Sequence, residues 1–293
     1  MANRNVGTQA TTAVTGFISA LLPGYFGSLG ARAFLKPRPN TSRRHWAEAF
    51  EDFERREICV DGHQVPFWVR GAGPLVLLVH GWERDHFAMG GFVAPLLNAG
   101  YRVAAIDLPG HGEADGESAP LPLLAKSIAE TAAALKQPCT VIAHSIGAAM
   151  TALAAEAYGL KPDNIVLICA PRGAEDYALA QARRQGLSPR ALRQMVRQIT
   201  HALGEPLQRY RVDRALNALK APILLVHAAD DAIVPLSDAE ANLRASSAHS
   251  LWLASGGHNR ILADRQMIGD VLKWLNGPAQ VHARTTETQA VCR

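Results

Sequence analysis

Residues 140–150, T-V-I-A-H-S-I-G-A-A-M, decide how this chain folds. The stretch starts as an apolar, β-branched run that is typical of a strand, and it continues into small residues that favour a helix. Ser145 lies at the junction, where the chain has no room for a relaxed loop. Such a bend lifts the serine hydroxyl off the end of the sheet, beside the unpaired N–H groups that begin a helix. Ser145 is therefore a candidate nucleophile.

The bend departs at one position from the G-x-S-x-G pattern of a nucleophile elbow. Gly147 satisfies the second glycine, but Ala143 occupies the first. Glycine is expected at both positions because a side chain there would meet the neighbouring strand or helix. Alanine adds a single methyl group, so we expect the turn to form. On this stretch alone, an ordinary surface serine at a βα turn stays the alternative interpretation.

The composition is that of an ordinary globular protein. The 293 residues are 48% hydrophobic and 19% charged, enough for one large α/β domain or two modest ones with a sizeable core. A net charge of +4 without a basic patch or nucleic-acid motif argues against a nucleic-acid partner. The four cysteines are scattered, with no C-x-x-C pair and no zinc spacing. We expect a reduced compartment and a cytoplasmic protein.

Both ends of the chain differ from the middle. Residues 1–50 are predicted as an N-terminal helical and linker extension, whose apolar part, 14–35, is interrupted by glycines and a proline. That part is too broken for a membrane span, so we expect helices packed on the domain or on an oligomer partner. A peripheral membrane contact, or a signal or anchor, are the alternatives. Residues 278–293 are polar and aperiodic and are predicted to be a disordered tail.

Between these ends, strand and helix patterns alternate along the chain. A hairpin at 56–70 precedes a continuous apolar strand at 74–80. The other predicted strands are 101–107, 139–143, 164–170, 222–228 and 250–254, and the helices are 121–136, 145–158, 237–244 and 261–275. This alternation predicts an α/β fold with a mostly parallel, doubly wound sheet, built from residues 51–171 and 221–277. Ligands of such sheets bind at the carboxyl ends of the strands.

A helical segment, residues 172–220, interrupts this alternation, and we expect it to form a cap over the strand ends. It contains nine arginines and one lysine against four acidic residues. This excess of positive charge fits a solvated helical face. It also fits a contact for anionic head groups or acidic substrates.

A serine nucleophile needs a base, an acid that orients the base, and N–H donors for the oxyanion. For the acid, the strand I-L-L-V-H-A-A ends in Asp230 and Asp231, and we favour Asp231. For the base, His258 lies in the glycine-rich loop S-G-G-H-N-R after the next strand. These residues follow the chain order Ser, Asp, His that is expected on such a sheet.

Two backbone N–H groups are candidate oxyanion donors. His80-Gly81-Trp82 ends the first long strand, so the N–H of Trp82 can point to the same place as the N–H of Ile146. His86, a little further along this loop, is a candidate substrate-binding residue that would line an acyl pocket. No motif indicates a bound metal or a cofactor, and Gly71-Ala72-Gly73 lacks the context of a phosphate loop.

Five motifs in order resemble those of the α/β-hydrolase family. They are H-G-W from His80, D-L-P-G-H-G from Asp107, A-H-S-I-G from Ala143, D-D-A-I-V-P from Asp230 and G-G-H from Gly256. The resemblance covers residues 56–275 and implies the α/β-hydrolase fold, of the esterase or lipase type with a short helical cap. Two positions depart from the family pattern, Ala143 and Ala228, where the family often has glycine.

The sequence thus predicts a cofactor-free serine hydrolase that cleaves carboxylic esters through Ser145, His258 and Asp231, with an acyl-enzyme intermediate. The substrate would be a small-molecule ester or a lipid. A thioesterase, lactonase, amidase or acyltransferase with the same triad is the alternative within enzymes. The alternative outside enzymes is a catalytically silent binding scaffold. The N-terminus or the basic cap would supply any peripheral membrane contact, and the sequence leaves the oligomeric state open.

Overall fold

The computed structural model describes residues 3–38, 46–136 and 139–277, with side chains from residue 12 onward. Its centre is an eight-stranded sheet in the order β1-β2-β4-β3-β5-β6-β7-β8. The strands are β1 Glu54–Val60, β2 His63–Arg70, β3 Leu75–Val79, β4 Arg102–Ile106, β5 Cys139–His144, β6 Asn164–Ile168, β7 Ile223–Ala228 and β8 His249–Leu253. β2 is antiparallel to β1 and β4, and all other neighbours are parallel. The predicted fold class is confirmed.

The antiparallel edge follows from a two-residue turn. Asp61 and Gly62 both have positive φ, 48° and 82°, the combination that a tight hairpin turn requires. Aspartate tolerates this conformation better than most residues, and glycine adopts it at no steric cost. Residues Glu54–Val60 pair along their whole length with β2 as a result.

Helices cover both faces of the sheet. On one face α4 Leu121–Ala134 and α5 Ile146–Ala157 pack on the sheet, and on the other face α3 Val93–Asn98 and α10 Arg265–Leu275 do so. Every side chain of β3 is buried, because this strand lies in the middle of the sheet between the two layers. That position explains its continuous apolar run. α9 Leu236–Arg244 joins β7 to β8.

The segment between β6 and β7 is helical, as its pattern indicates. It consists of α6 Ala174–Arg184, α7 Pro189–Leu203, a short 3-10 turn at Leu207–Arg209 and α8 Val212–Ala218. Ser188 caps the N-terminus of α7 through a bond from the Ala191 N–H, and Gly204 ends the helix in the left-handed conformation. A bridge between Gly173 and Arg211 closes the base of the segment.

The N-terminal extension forms two helices, α1 Asn3–Leu21 and α2 Pro23–Leu35, which lie against α7. Gly27 and Gly30 face α7 so closely that a Cβ on Gly27 would lie 2.6 Å from Gln194 Cβ, and one on Gly30 would lie 2.8 Å from Met195 Sδ. Glycine at these positions lets the two helices approach. The predicted tail, residues 278–293, and residues 1–2 and 39–45 of the predicted N-terminal extension lie outside the described residues.

A membrane-spanning helix needs about 20 predominantly apolar residues. Within the described ranges, no single helix meets both requirements. Thr12–Leu21 and Pro23–Leu35 meet them only when taken together, and the two are bent by 119° with respect to each other.

The close approach of α5 to β3 generates a prediction about Gly147. A Cβ at this position would overlap the His80 carbonyl oxygen and would lie 2.9 Å from Val79 Cγ1. Because the obstacle is backbone, Gly147→Ala is expected to lower the free energy of unfolding by about 3 kcal/mol, as overpacked core sites do. Urea unfolding followed by tryptophan fluorescence measures it.

Gly269→Ala is the matched control for this substitution. Gly269 lies in α10, and a Cβ at this position would have no atom within 4 Å. Alanine there is expected to raise the free energy of unfolding by up to about 1 kcal/mol, because it has a higher helix propensity than glycine. Equal stability of the two variants would contradict the close packing at Gly147.

Candidate active site

The bend after β5 holds Ser145 in a strained conformation. Its φ is 55° and its ψ is −120°, a backbone geometry that L-residues rarely adopt. The surrounding structure fixes it, since the Ser145 N–H donates to the Ile168 carbonyl at 2.8 Å and the Ala149 N–H donates to the Ser145 carbonyl at 3.2 Å. Backbone strain that the surrounding structure stabilises in this way is common at functional sites. The hydroxyl is thereby presented at the carboxyl end of β5.

Three predicted site residues come together at this end of the sheet. The Ser145 hydroxyl donates to His258 Nε2 at 2.9 Å, and His258 Nδ1–H donates to Asp231 Oδ2 at 2.7 Å. Asp231 follows β7 and His258 follows β8, so neighbouring strands deliver the acid and the base to one edge. The arrangement is a continuous hydrogen-bonded chain from a hydroxyl through an imidazole to a carboxylate.

The electrostatics of Asp231 favour its ionised form. Burial by itself would raise the pKa of this carboxyl, but the hydrogen bond and charge of His258 oppose it. The N–H groups of Ile233 and Val234 also donate to Oδ1, at 2.8 and 3.0 Å. The net result is a pKa of about 2 for Asp231. A permanent carboxylate at Nδ1 fixes the histidine tautomer, which leaves Nε2 free to accept a proton.

Asp230, the alternative acid, has a different position. Its Oδ1 accepts from the Gly257 N–H at 2.7 Å, so it anchors the loop that carries His258. Ala228, where the family often has glycine, lies under the same loop, and a Cβ on Gly256 would be 3.4 Å from the Ala228 methyl. Gly257 has a positive φ of 57°. The glycines thus let the loop fold over Ala228 and direct His258 towards Ser145.

The two candidate oxyanion donors lie beside Ser145. Gly81 approaches so closely that a Cβ there would be 3.1 Å from Ser145 Cβ, which brings the following residue, Trp82, next to the nucleophile. Ile146 is the first residue of α5. Among the described residues, neither the Trp82 N–H nor the Ile146 N–H has a hydrogen-bond acceptor. Unpaired N–H groups at a helix start and a tight loop can stabilise a developing oxyanion.

His86 is not brought to this group, although the sequence suggested a substrate contact. Its ring is 2% exposed and stacks on Trp68 at a centroid separation of 3.5 Å. Its Nδ1–H donates to Asp107 Oδ1 at 2.9 Å. A side chain with no exposed face supports the Asp107 loop and leaves no surface for an acyl group, so we do not include His86 in the site. The sequence pattern failed here because loop histidines look alike whether they face inward or outward.

Two other buried histidines hold the loops of the site. His144 Nε2–H donates to the His258 carbonyl at 2.8 Å, and His80 donates to the Gly81 carbonyl at 2.7 Å while accepting from the Leu108 N–H at 3.0 Å. Burial lowers the pKa of each to about 3, and the nearby histidines His258 and His111 respectively add to the effect. Both are therefore neutral scaffolding groups.

Cys169 is a residue of the site that sequence reasoning missed. It follows β6 directly and has a positive φ of 51°, and its thiol sulfur lies within 4.8 Å of an Asp231 carboxylate oxygen. Burial and the nearby carboxylate raise the pKa of this thiol far above its ordinary range, so it stays protonated. The sequence shows it only as a small apolar residue in a strand. Its position at the carboxyl end of β6 was the available signal.

Groups that could bind a metal ion in the described part of the chain overlap with this site. Ligand atoms of His144, Cys169 and His258 lie within 4.8 Å of one another, as do those of Cys169, His227 and Asp231. Both nitrogens of His258 already bond to Ser145 and Asp231, and His227 Nε2–H donates to the Val234 carbonyl at 2.9 Å. A metal would have to displace these bonds, so the residues fit a proton relay better than a metal centre.

Comparison with known proteins agrees with this geometry. The model of the Alpha/beta hydrolase family matches residues 76–271, two thirds of the chain. The chain belongs to the alpha/beta hydrolase family. This confirms the resemblance drawn from the motifs, all of which lie on the strand ends described above.

Individual relatives refine the picture. A pimeloyl-(acyl-carrier protein) methyl ester esterase from Xanthomonas oryzae pv. oryzae is 28% identical over 249 residues, which is 70% of this chain and 96% of that protein. A fluoroacetate dehalogenase from a Burkholderia species is 42% identical over 72 residues, 25% of this chain and 22% of the relative. The crystal structure of a bacterial membrane phospholipase A has the same fold, with a TM-score of 0.61, 20% identity, and coverage of 94% of this chain and 99% of that one. The protein is an alpha/beta hydrolase with esterase relatives.

The neutral histidines generate a prediction about acid stability. The pKa of His144 and of His80 is lowered to about 3 in the folded protein from 6.5. As the pH falls, these histidines are protonated in the unfolded chain before they are protonated in the folded protein. The free energy of unfolding is therefore highest above pH 6.5 and decreases as the pH falls towards 3. Each histidine is expected to contribute a slope of up to about 1.4 kcal/mol per pH unit in this window.

His144→Gln tests this slope, because glutamine keeps a donor for the His258 carbonyl but does not titrate. We expect the free energy of unfolding of the variant to fall less steeply between pH 6 and pH 5, by about 1 kcal/mol per pH unit. Urea unfolding at each pH measures it. Identical slopes for the variant and the original protein would contradict a buried, neutral His144.

Proposed function

We propose that this protein is a serine esterase that hydrolyses carboxylic esters through Ser145, His258 and Asp231. The observation that carries the proposal is the chain of two hydrogen bonds, 2.9 Å from the hydroxyl to the imidazole and 2.7 Å from the imidazole to a carboxylate whose pKa is about 2. In such a chain the imidazole can accept a proton and the carboxylate stabilises the resulting cation.

The first half of the reaction acylates the serine. Ser145 Oγ forms a bond to the acyl carbon while His258 Nε2 takes the hydroxyl proton, and the carbonyl electron pair moves onto oxygen. The N–H groups of Trp82 and Ile146 donate to that oxyanion. When the tetrahedral intermediate collapses, the bond to the leaving oxygen breaks, and His258 gives its proton to the departing alcohol. A donor of this kind is worth about 10²–10³-fold in kcat.

The second half regenerates the enzyme. Water loses a proton to His258 as its oxygen attacks the acyl carbon, and the same two N–H groups hold the second oxyanion. Collapse of this intermediate breaks the bond to Ser145 Oγ, which recovers its proton from His258. The products are an alcohol and a carboxylic acid. Asp231 remains a carboxylate throughout, and the protonated Cys169 thiol lies near it without taking part in the proton transfers.

The relatives support an ester as the substrate. The name of the Xanthomonas protein assigns that relative a methyl ester, and membership of the family fits hydrolytic chemistry in general. The name of the phospholipase places that protein at a membrane. We propose a small-molecule ester or a lipid as substrate here. Ser145 stands against the chemistry of the dehalogenase relative, for which the family resemblance implies an aspartate at the elbow.

Other reactions would use the same groups. Cleavage of thioesters, lactones or amides, and acyl transfer, differ only in the leaving group or in the acceptor of the acyl group. A silent binding scaffold is not favoured, because the complete hydrogen-bonded chain is present. Rates on matched oxygen esters and thioesters of one acyl chain rank these alternatives.

Substitution of the triad tests the proposal. With p-nitrophenyl butyrate as substrate, Ser145→Ala is expected to lower kcat by on the order of 10⁴-fold or more, and Asp231→Asn by about 10³–10⁴-fold because the imidazole tautomer is no longer fixed. A fluorophosphonate probe should label the original protein and leave the Ser145→Ala variant unlabelled.

Ser237→Ala is the matched control, since Ser237 is exposed near the start of α9 and takes no part in the relay. It should keep both the rate and the label. Thermal melting of all three variants checks that each is folded. Esterase activity of Ser145→Ala at the original rate would refute the assignment of the nucleophile.

A further inference from the structure

Large apolar side chains that are exposed cluster at one place in this protein. Throughout the described side chains, every exposed large apolar one lies between Val14 and Leu29, with exposed fractions from 39% for Ile18 to 69% for Phe17. The group, called here the N-terminal apolar surface, consists of Val14, Phe17, Ile18, Leu21, Leu22, Tyr25 and Leu29. A contiguous apolar patch of this kind marks an interaction site, whereas single exposed apolar residues do not.

The part of the surface on α1 has the residue spacing of one face of an amphipathic helix. Val14, Phe17, Ile18 and Leu21 follow the i, i+3, i+4, i+7 pattern, which places them on one side of α1. The opposite side is fixed to the cap, where the buried Ser19 hydroxyl accepts from the Ser188 N–H at 2.9 Å. The apolar side of α1 therefore faces outward, while the polar Ser19 faces inward. On the surface of a soluble monomer, an amphipathic helix usually has the opposite orientation, with its apolar side buried.

The continuation of the surface along α2 is held in the same way. Leu22, Tyr25 and Leu29 share the outer side of this helix, and Gly27 and Gly30 contact α7 on the inner side. The close glycine contacts fix the orientation of α2, so the helix cannot turn its apolar side chains inward without losing them. The apolar side chains of α2 are therefore exposed because the opposite side of the helix packs closely on α7.

Exposed arginines lie beside this surface on α2 and α7. The sequence has no aspartate or glutamate before Glu48, and Arg32 is exposed near the end of α2. On α7, Arg190 and Arg197 lie four residues before and three residues after Gln194, the residue that contacts Gly27, so they flank α2. All three arginines are exposed, and none forms an ion pair with any residue that the structure describes.

We propose that the N-terminal apolar surface docks onto an anionic lipid bilayer, with its apolar side chains in the interface and Arg32, Arg190 and Arg197 against the lipid head groups. Apolar residues on one helical face bordered by cations are the features of an interfacial membrane contact. A second copy of the chain is the competing occupant. Pairing two copies through this face would bring like charges together without acidic partners, so the charge pattern favours the bilayer.

The surface is joined to the candidate active site by one helix. α2 carries Tyr25 near its start, Leu29 at its middle and Phe34 near its end, and the Phe34 ring stacks on Trp82 at a centroid separation of 6.5 Å. Trp82 is a proposed oxyanion donor. A docked bilayer would therefore lie next to the helix that buttresses the site, and it would present amphiphilic acyl esters there. Only this consequence for substrate class depends on the proposed function.

Binding is tested on the full chain with Ser145→Ala, so that lipid hydrolysis cannot disturb the vesicles and failure of the esterase assignment cannot affect the result. Vesicles are phosphatidylcholine alone or with about one quarter phosphatidylglycerol. We expect co-flotation with the anionic vesicles, at least tenfold weaker binding to phosphatidylcholine alone, and weakening by salt as exposed charges are screened.

Two sets of substitutions at exposed positions, each added to Ser145→Ala, locate the surface. Phe17→Gln, Leu21→Gln and Leu29→Gln together should weaken binding by more than about tenfold, since they remove buried apolar contact with the interface. Arg190→Gln with Arg197→Gln should weaken binding to anionic vesicles only. Arg214→Gln with Arg265→Gln is the charge-matched control, because both are exposed arginines on α8 and α10, away from this surface, and it should bind as before.

Three results would overturn the proposal. They are absence of binding to the anionic vesicles, binding that the three glutamine substitutions leave unchanged, and a stable dimer that those substitutions convert to monomer in sedimentation velocity. Two controls exclude unfolding as the cause of lost binding. In the protein that retains Ser145, the three glutamine substitutions should leave the rate on a soluble short-chain ester unchanged. Circular dichroism should also show an unchanged helix content.

Discussion

The steric approach of α5 to β3 governs the rest of the site. Gly147 lies against the His80 carbonyl and Gly81 lies against Ser145, so two chain segments meet where a single extra methyl group would keep them apart. That contact forces Ser145 into its positive φ and presents the hydroxyl at the sheet edge. It also brings the Trp82 N–H beside the nucleophile. Ala143 is accommodated because it is fully buried and its methyl group is part of the core between the sheet and the helices α4 and α5.

The parallel sheet converts this local constraint into a site. β5, β6, β7 and β8 are neighbours, and they end at one edge with Ser145, Cys169, Asp231 and His258 in that order. The loops after these strands are fixed by buried, neutral histidines and by aspartate-to-backbone bonds. A polar network of this kind is stable only when nearly every member has a partner. The buried histidines make the folded protein less stable in acid, because they are protonated more readily in the unfolded chain than in the folded one.

Much of this could be predicted from the sequence, for identifiable reasons. The alternation of strands and helices follows from hydrophobic periodicity, and the positions of Ser145, Asp231 and His258 follow from the rule that parallel strands deliver side chains to one edge. The roles of these residues remain a proposal. Two features could not be predicted, since they depend on which way a side chain points. His86 faces inward onto Trp68, and the Cys169 thiol lies within 4.8 Å of the Asp231 carboxylate.

The N-terminal helices show the same limit more clearly. Their sequence is apolar enough to suggest packing, and one side does pack, through Gly27 and Ser19. Composition cannot reveal that Phe17 and Tyr25 are left outside, because exposure depends on the partner helix. An extension of this kind adds an exposed apolar surface to a hydrolase core without altering the core itself.

The central claim is that Ser145 becomes acylated, and trapping the intermediate tests it most directly. The protein is mixed with excess p-nitrophenyl acetate, quenched in acid during the burst of p-nitrophenolate, and analysed by mass spectrometry of the whole chain and its peptides. We predict one acetyl group, located on the peptide that contains Ser145 and formed at the rate of the burst. Turnover with the acetyl group on another residue, such as the exposed Cys59, would contradict the account.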